Sequence, residues 1–123
     1  MLLLHFTDDR PIFIQVAEQI ENGILADAFP EGSQVPSTTE ISVQYKINPA
    51  TVLKGMNLLV DSDILFKKRG VGMFVSSGAR SKIRKKRKGQ FYDNYIIPAV
   101  SEAKKLGLPL EEILSLIERG FDK

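Results

Sequence analysis

The segment Asn48-Pro49-Ala50-Thr51-Val52-x-Lys54 sets an amide, a methyl, a hydroxyl and an ammonium within two helical turns. If a helix begins at Pro49, these groups leave its first exposed turns. A helix fits the major groove of B-DNA, and its N-terminal residues reach base edges. Asn48 and Thr51 can hydrogen-bond a base or a phosphate, and Ala50 can touch a thymine methyl. Lys54 can reach a phosphate or a guanine. The plainer roles stand beside these: Asn48 caps the helix, and Thr51 is an ordinary exposed residue.

Two further groups of residues suit the same polyanion. Ser37 and Thr38 open another helix, whose free backbone N–H groups can hold a phosphate; capping alone explains them equally well. Lys67-Lys68-Arg69-Gly70-Val71-Gly72 puts three cations against a pair of glycines. The backbone at Gly70 and Gly72 can approach a sugar-phosphate wall closely, with Lys68 and Arg69 as charged probes. Narrow A·T-rich minor grooves attract such arginines. A plain β-turn would use the same glycines for positive φ.

Other chemistries find little support. The chain has no cysteine, which excludes disulfides, thiolate metal sites and a cysteine nucleophile. Its one histidine, His5, lacks partners for metal or acid–base work. There is no phosphate loop, and the carboxylate pairs Asp8-Asp9 and Glu111-Glu112 lie at helix starts, where the macrodipole explains them. No cofactor, no metal site and no enzymatic activity are expected. The apolar opening Met1-Leu2-Leu3-Leu4 is too short for a signal peptide and lacks a basic leader, so a cytoplasmic protein without membrane contact is expected.

The elements that must position these groups follow from periodicity and punctuation. Pro11 to Ala26 reads as a helix with Ile12, Val16, Ile20 and Ile24 on one apolar stripe. Phe29-Pro30-Glu31-Gly32 breaks it. Ser37 and Glu40 form a capping box for a second helix, to Tyr45. Asn48 and Pro49 start a third, running to about Asp61. Leu65–Lys68 and Met73–Val75 flank the glycine turn as a hairpin. Ser76-Ser77-Gly78-Ala79 reads as a hinge, after which a long helix is expected from about Arg80 to Leu106, kinked or split at Pro98. Gly107 ends it, and a last helix should run from Pro109 through Arg119 and stop at Gly120. The fold class is therefore mostly α with a small β-hairpin: a winged helix-turn-helix over residues 1–77, then a helical tail over 78–123.

Charge is segregated along this plan. Between Ile64 and Tyr92 lie ten of the 17 lysines and arginines, and none of the 15 acidic residues. Such a field suits a polyanion, although like-charge runs are often merely solvated. The tail carries an apolar stripe through Tyr95, Ala99 and Ala103, continued by Leu110, Ile113, Leu114 and Ile117. A helical pair that cannot bury its own stripe argues for a homodimer; packing on its own winged domain is the alternative. A small-molecule effector near Tyr92 or Tyr95 is one use for those rings, and packing is the commoner one.

These motifs carry a resemblance. Pro11-Ile12-Phe13-x-Gln15-Val16-Ala17, the Gly32…Pro36-Ser37 turn, Asn48-Pro49-Ala50-Thr51-Val52-x-Lys54 and Arg69-Gly70-x-Gly72-x-Phe74-Val75 resemble the GntR family of bacterial transcription regulators. The Pro-Ile-Phe opening and the short tail are similar to its YtrA-type branch. The resemblance implies a dimeric repressor that binds a palindromic operator in double-stranded DNA, with transporter operons as frequent targets. It also implies an arginine two residues after Ser37, where this chain has Thr39, which cannot make a bidentate guanine contact. Lys54 keeps the charge expected there but loses the planar guanidinium fork. Two other readings compete: a nonspecific nucleic-acid-binding module and a protein-interaction winged helix. The latter predicts an acidic or apolar third helix, which this chain does not have.

Overall fold

The computed structural model describes residues 5–123. The apolar opening Met1-Leu2-Leu3-Leu4 lies outside the described residues. The chain forms two compact units, Met1–Lys85 and Lys86–Lys123.

In the first unit, α1 (Ile12–Leu25), α2 (Thr38–Tyr45) and α3 (Pro49–Asp61) precede an antiparallel hairpin of β1 (Leu65–Lys68) and β2 (Gly72–Val75). None of these helices is long enough to stand alone in water, least of all the eight residues of α2. They form because each contributes to one core. Val16, Ala17, Ile20 and Ile24 of α1 meet Ile41 of α2 and Val52, Met56 and Leu59 of α3, all buried. Each fully buried Ile, Leu, Met or Val contributes about 1.5–3 kcal/mol of apolar transfer. The hairpin closes the same core with Leu65, Met73 and Val75.

The hairpin pairs Leu65 with Val75, Phe66 with Phe74, Lys67 with Met73 and Lys68 with Gly72. A third segment runs beside β2: Gly32 N–H donates to the Val75 carbonyl (2.8 Å), Val75 N–H to that of Ser33 (2.9 Å) and Val35 N–H to that of Met73 (3.0 Å). The chain after the α1 breaker therefore bridges to β2, Gln34 opposite Phe74, before it reaches the α2 cap.

One expectation is overturned between β2 and the next helix. Ser76–Ala79 is no hinge. Ser76 N–H donates to the Ile64 carbonyl (2.9 Å), Gly78 N–H bonds the Glu31 carboxylate, and Ala79 is fully buried. Then α4 (Ala79–Phe91) sends Ile83 into the same core with no exposed surface. The start of the basic run is thus part of the winged unit.

In the second unit the helical path is continued by a π-helical turn, Tyr92–Ile96, and then by α5 (Ile97–Leu106) and α6 (Leu110–Phe121). Pro98 stands in the first turn of α5. It has no N–H to donate and its ring crowds the preceding turn, so an unbroken α-helix cannot pass through it. The chain widens instead: Ile97 N–H donates to the Tyr92 carbonyl, five residues back. Gly107 ends α5 in the left-handed conformation, φ 69°, as expected. Gly120 does not end α6, which runs on to Phe121. Glycine lowers helix stability without forbidding the helix.

Candidate nucleic-acid interface

The third helix starts as its sequence demands. Asn48 Oδ1 accepts the Ala50 N–H at 2.8 Å, and the Asn48 carbonyl accepts those of Thr51 and Val52. Asn48, Pro49, Ala50 and Lys54 are exposed and Thr51 is half-buried, while Val52, Met56 and Leu59 take the rear of α3 into the core. The polar groups near the N-terminus are therefore left to solvent by the packing of the opposite face.

The turn before α3 is held by a residue that sequence reasoning missed. Buried Ser42 donates its hydroxyl to the Ile47 carbonyl at 2.6 Å, and Ile47 N–H returns a bond to the Ser42 carbonyl at 3.1 Å. Between them Lys46 takes the left-handed conformation at φ 54°. A serine inside a short amphipathic helix carries no signal for this; only the closed turn reveals it.

At the start of α2 the capping box is complete. Glu40 N–H donates to Ser37 Oγ at 3.0 Å, and Ser37 N–H donates to Glu40 Oε1 at 3.1 Å. Ser37 and Thr38 are half-buried and Thr39 is exposed. Pro36 joins this cap directly to the segment beside β2, so the cap and the hairpin share one root.

The hairpin tip turns through Lys68-Arg69-Gly70-Val71, with Val71 N–H donating to the Lys68 carbonyl at 2.9 Å and Gly70 at φ 77°. Lys68 and Arg69 are exposed. Lys68 Nζ lies 4.5 Å from the Phe74 ring centroid, and Phe66 stacks on Phe74 at 5.7 Å. Gln34, also missed from the sequence, braces this tip. Its Nε2 donates to the Val71 carbonyl at 3.0 Å and occupies the space a side chain on Gly72 would need.

Two cations of the basic run are already committed inside the first unit. Arg80 pairs with Asp27 at 3.1 Å, and Lys82 Nζ donates to the Asp63 carbonyl at 3.1 Å. Asp63 follows the C-terminal end of α3, so the root of α4 lies at the opposite end from Asn48. Arg84, Lys85 and Lys88 are exposed.

In the second unit Tyr95, Ala99, Leu110, Leu114 and Ile117 are exposed, and Ile113 is half-buried. Ala103 differs from the expectation: only 5% of its surface is accessible, so it is used within the chain rather than offered to a partner. Phe91 and Tyr95 pack at 5.5 Å between ring centroids. Among the described residues no helix is long and apolar enough to cross a membrane.

A capped, outward-facing helix start and a glycine-tipped basic hairpin within one unit are the equipment of a winged helix-turn-helix, and comparison with known proteins agrees. The profile of the bacterial regulatory proteins of the gntR family matches residues 14–75. The chain belongs to the GntR family. Regulators of this family bind DNA and typically act as dimers, and this chain is accordingly a DNA-binding transcription regulator. It is similar along most of its length to the HTH-type transcriptional regulator YhcF of Bacillus subtilis, with 28% identity over 113 residues and 92% of each chain covered. It is 32% identical over 66 residues to the HTH-type transcriptional repressor NagR of Bacillus subtilis, a match that covers 54% of this chain and 27% of that one. Its fold resembles that of YtrA from Sulfolobus acidocaldarius, a GntR-family transcription factor, with a TM-score of 0.56 and 23% identity over 98% of this chain and 97% of that one.

Proposed function

We propose that this GntR-family chain is a dimeric repressor whose two copies grip a palindromic operator. The duplex is read by Asn48, Pro49, Ala50, Thr51 and Lys54 in the major groove, with Ser37, Thr38 and Thr39 on its phosphates. Lys68, Arg69, Gly70 and Gly72 follow the adjacent sugar-phosphate wall. The single observation that carries this reading is the solvent-facing start of α3, presented by a rear face wholly committed to the core. The repressor role is supported by the name of NagR, to which 66 residues of this chain are similar.

The second copy pairs through the tail. Leu110, Leu114, Ile117 and Phe121 leave 67%, 49%, 46% and 86% of their surface accessible in the single chain. Soluble proteins rarely leave so contiguous an apolar face uncovered. The protein acts in the cytoplasm, and the regulated genes encode a membrane transporter; the transcripts that rise on deletion of the gene check the latter.

Selection of duplexes from a random library, followed by titration of the winner against a scrambled duplex, tests the reading. Preference for the selected site should reach roughly 10³-fold or more at physiological salt. Lys54→Ala should cost about 1–3 kcal/mol of binding free energy. Equal affinity for both duplexes would leave only a nonspecific binder. A sedimentation mass of one chain at micromolar concentration would remove the dimer.

A further inference from the structure

α1 and α3 approach each other so closely that Gly55 has no room for a side chain. A Cβ there would stand 2.5 Å from the Phe13 carbonyl oxygen and 3.0 Å from Val16 Cβ. This close crossing brings Phe13 beside the residue that precedes Gly55. Lys54 Nζ sits 4.0 Å from the centroid of the Phe13 ring. Phe13 is half-buried and packed in α1, whereas Lys54 is exposed.

An ammonium over an aromatic face is attracted by the ring quadrupole, and the contact leaves N–H donors on its far side. A lysine on an exposed helix otherwise samples many rotamers and must be ordered when it meets a phosphate or a base. We propose that Phe13 is a positioning residue for DNA recognition: its ring holds the Lys54 ammonium in place at the reading end of α3 before the duplex arrives. This rests on the reading that α3 contacts DNA. It adds a residue from α1, outside the helix-turn-helix and the wing, to the determinants of affinity.

A double-mutant cycle on the library-selected duplex, labelled with fluorescein and followed by anisotropy, tests it. Phe13→Leu keeps an apolar side chain but removes the π face; Phe13→Tyr keeps that face. With Lys54 intact, Phe13→Leu should weaken binding roughly three- to fivefold, the scale of an exposed cation–π contact. Phe13→Tyr should bind like the parent. In the Lys54→Ala background Phe13→Leu should cost nothing further. Equal losses in both backgrounds would show Phe13 acting on the fold alone and overturn the proposal, as would parent-like binding by Phe13→Leu when Lys54→Ala binds weakly. If Lys54→Ala itself binds like the parent, the reading of α3 at that residue fails and the positioning role goes with it. One measurement needs no variant. In the free protein, the Lys54 ε-methylene protons should resonate upfield of those of other lysines because of the ring current. Unshifted protons would also overturn the proposal.

Discussion

Truncating Ile83 separates two accounts of the basic segment. If α4 were only a solvated linker, Ile83→Ala would be neutral or slightly stabilising, since alanine is the better helix former by a few tenths of a kcal/mol. In the structure Ile83 is wholly buried with Ile64, Leu65 and Val75 in the same cluster. Its truncation removes three carbons, worth about 2.4 kcal/mol at about 0.8 kcal/mol each. A cavity term adds to that, and measured Ile→Ala costs in cores run about 2–5 kcal/mol. The helix-propensity gain is too small to offset this. For a domain of this size, about 1 kcal/mol lowers Tm by roughly 4–8 °C, so a fall of at least about 8 °C is expected. Urea unfolding followed by circular dichroism at one fixed protein concentration measures the loss without a shift in dimer mass action. Unfolding at or above the parent midpoint would refute the placement of α4 in the core.

The capping box predicts that Ser37→Ala lowers stability by about 1 kcal/mol by orphaning the Glu40 N–H, a loss visible as a reduced urea midpoint with an unchanged slope. Gln34→Leu should loosen the hairpin tip by removing the bond to the Val71 carbonyl. Faster amide exchange at Val71 and Gly72 with little change in α1 would report it, and unaltered exchange would deny Gln34 that role. The Thr7 hydroxyl, and more weakly the local backbone and Arg10, hold the exposed Asp9 carboxyl below its ordinary value of 3.8. Its contribution is therefore present above pH 3.8 and lost as pH falls through the lower folded value. In Thr7→Val the NMR titration midpoint of Asp9 should move up.

The start of α3 was legible because its signals are local. Asparagine then proline names a helix N-terminus whatever lies elsewhere in the chain, and Ser37 with Glu40 does the same for α2. The wing was legible from two glycines between alternating residues. What stayed hidden depends on residues far apart in sequence. Gln34 reaches Val71 across 37 positions, and Phe13 meets Lys54 because α1 and α3 cross at a glycine. Ala79 and Ile83 were obscured by their neighbours: two apolar residues one turn apart, set among lysines and arginines, make too weak a stripe to signal burial. Pro98 announced a break but not its form, because a kink, a split and a π turn all accommodate the missing N–H.

The basic run shows why charge composition alone misassigns the work. Its cations share one stretch of sequence but face different environments. Arg80 and Lys82 are tied to Asp27 and Asp63, the second of these just beyond the C-terminal end of α3. The 13 residues of α3 span about 20 Å at about 1.5 Å per residue. At physiological salt the Debye length is only about 8 Å, so charges at the root of α4 are largely screened from a phosphate at the start of α3. The proposed operator contact therefore leans on Lys54, Lys68 and Arg69, which are near the reading helix start or on the wing. Arg80 and Lys82 instead fasten α4 to the domain, and their removal should be felt as lost stability before it is felt as lost affinity.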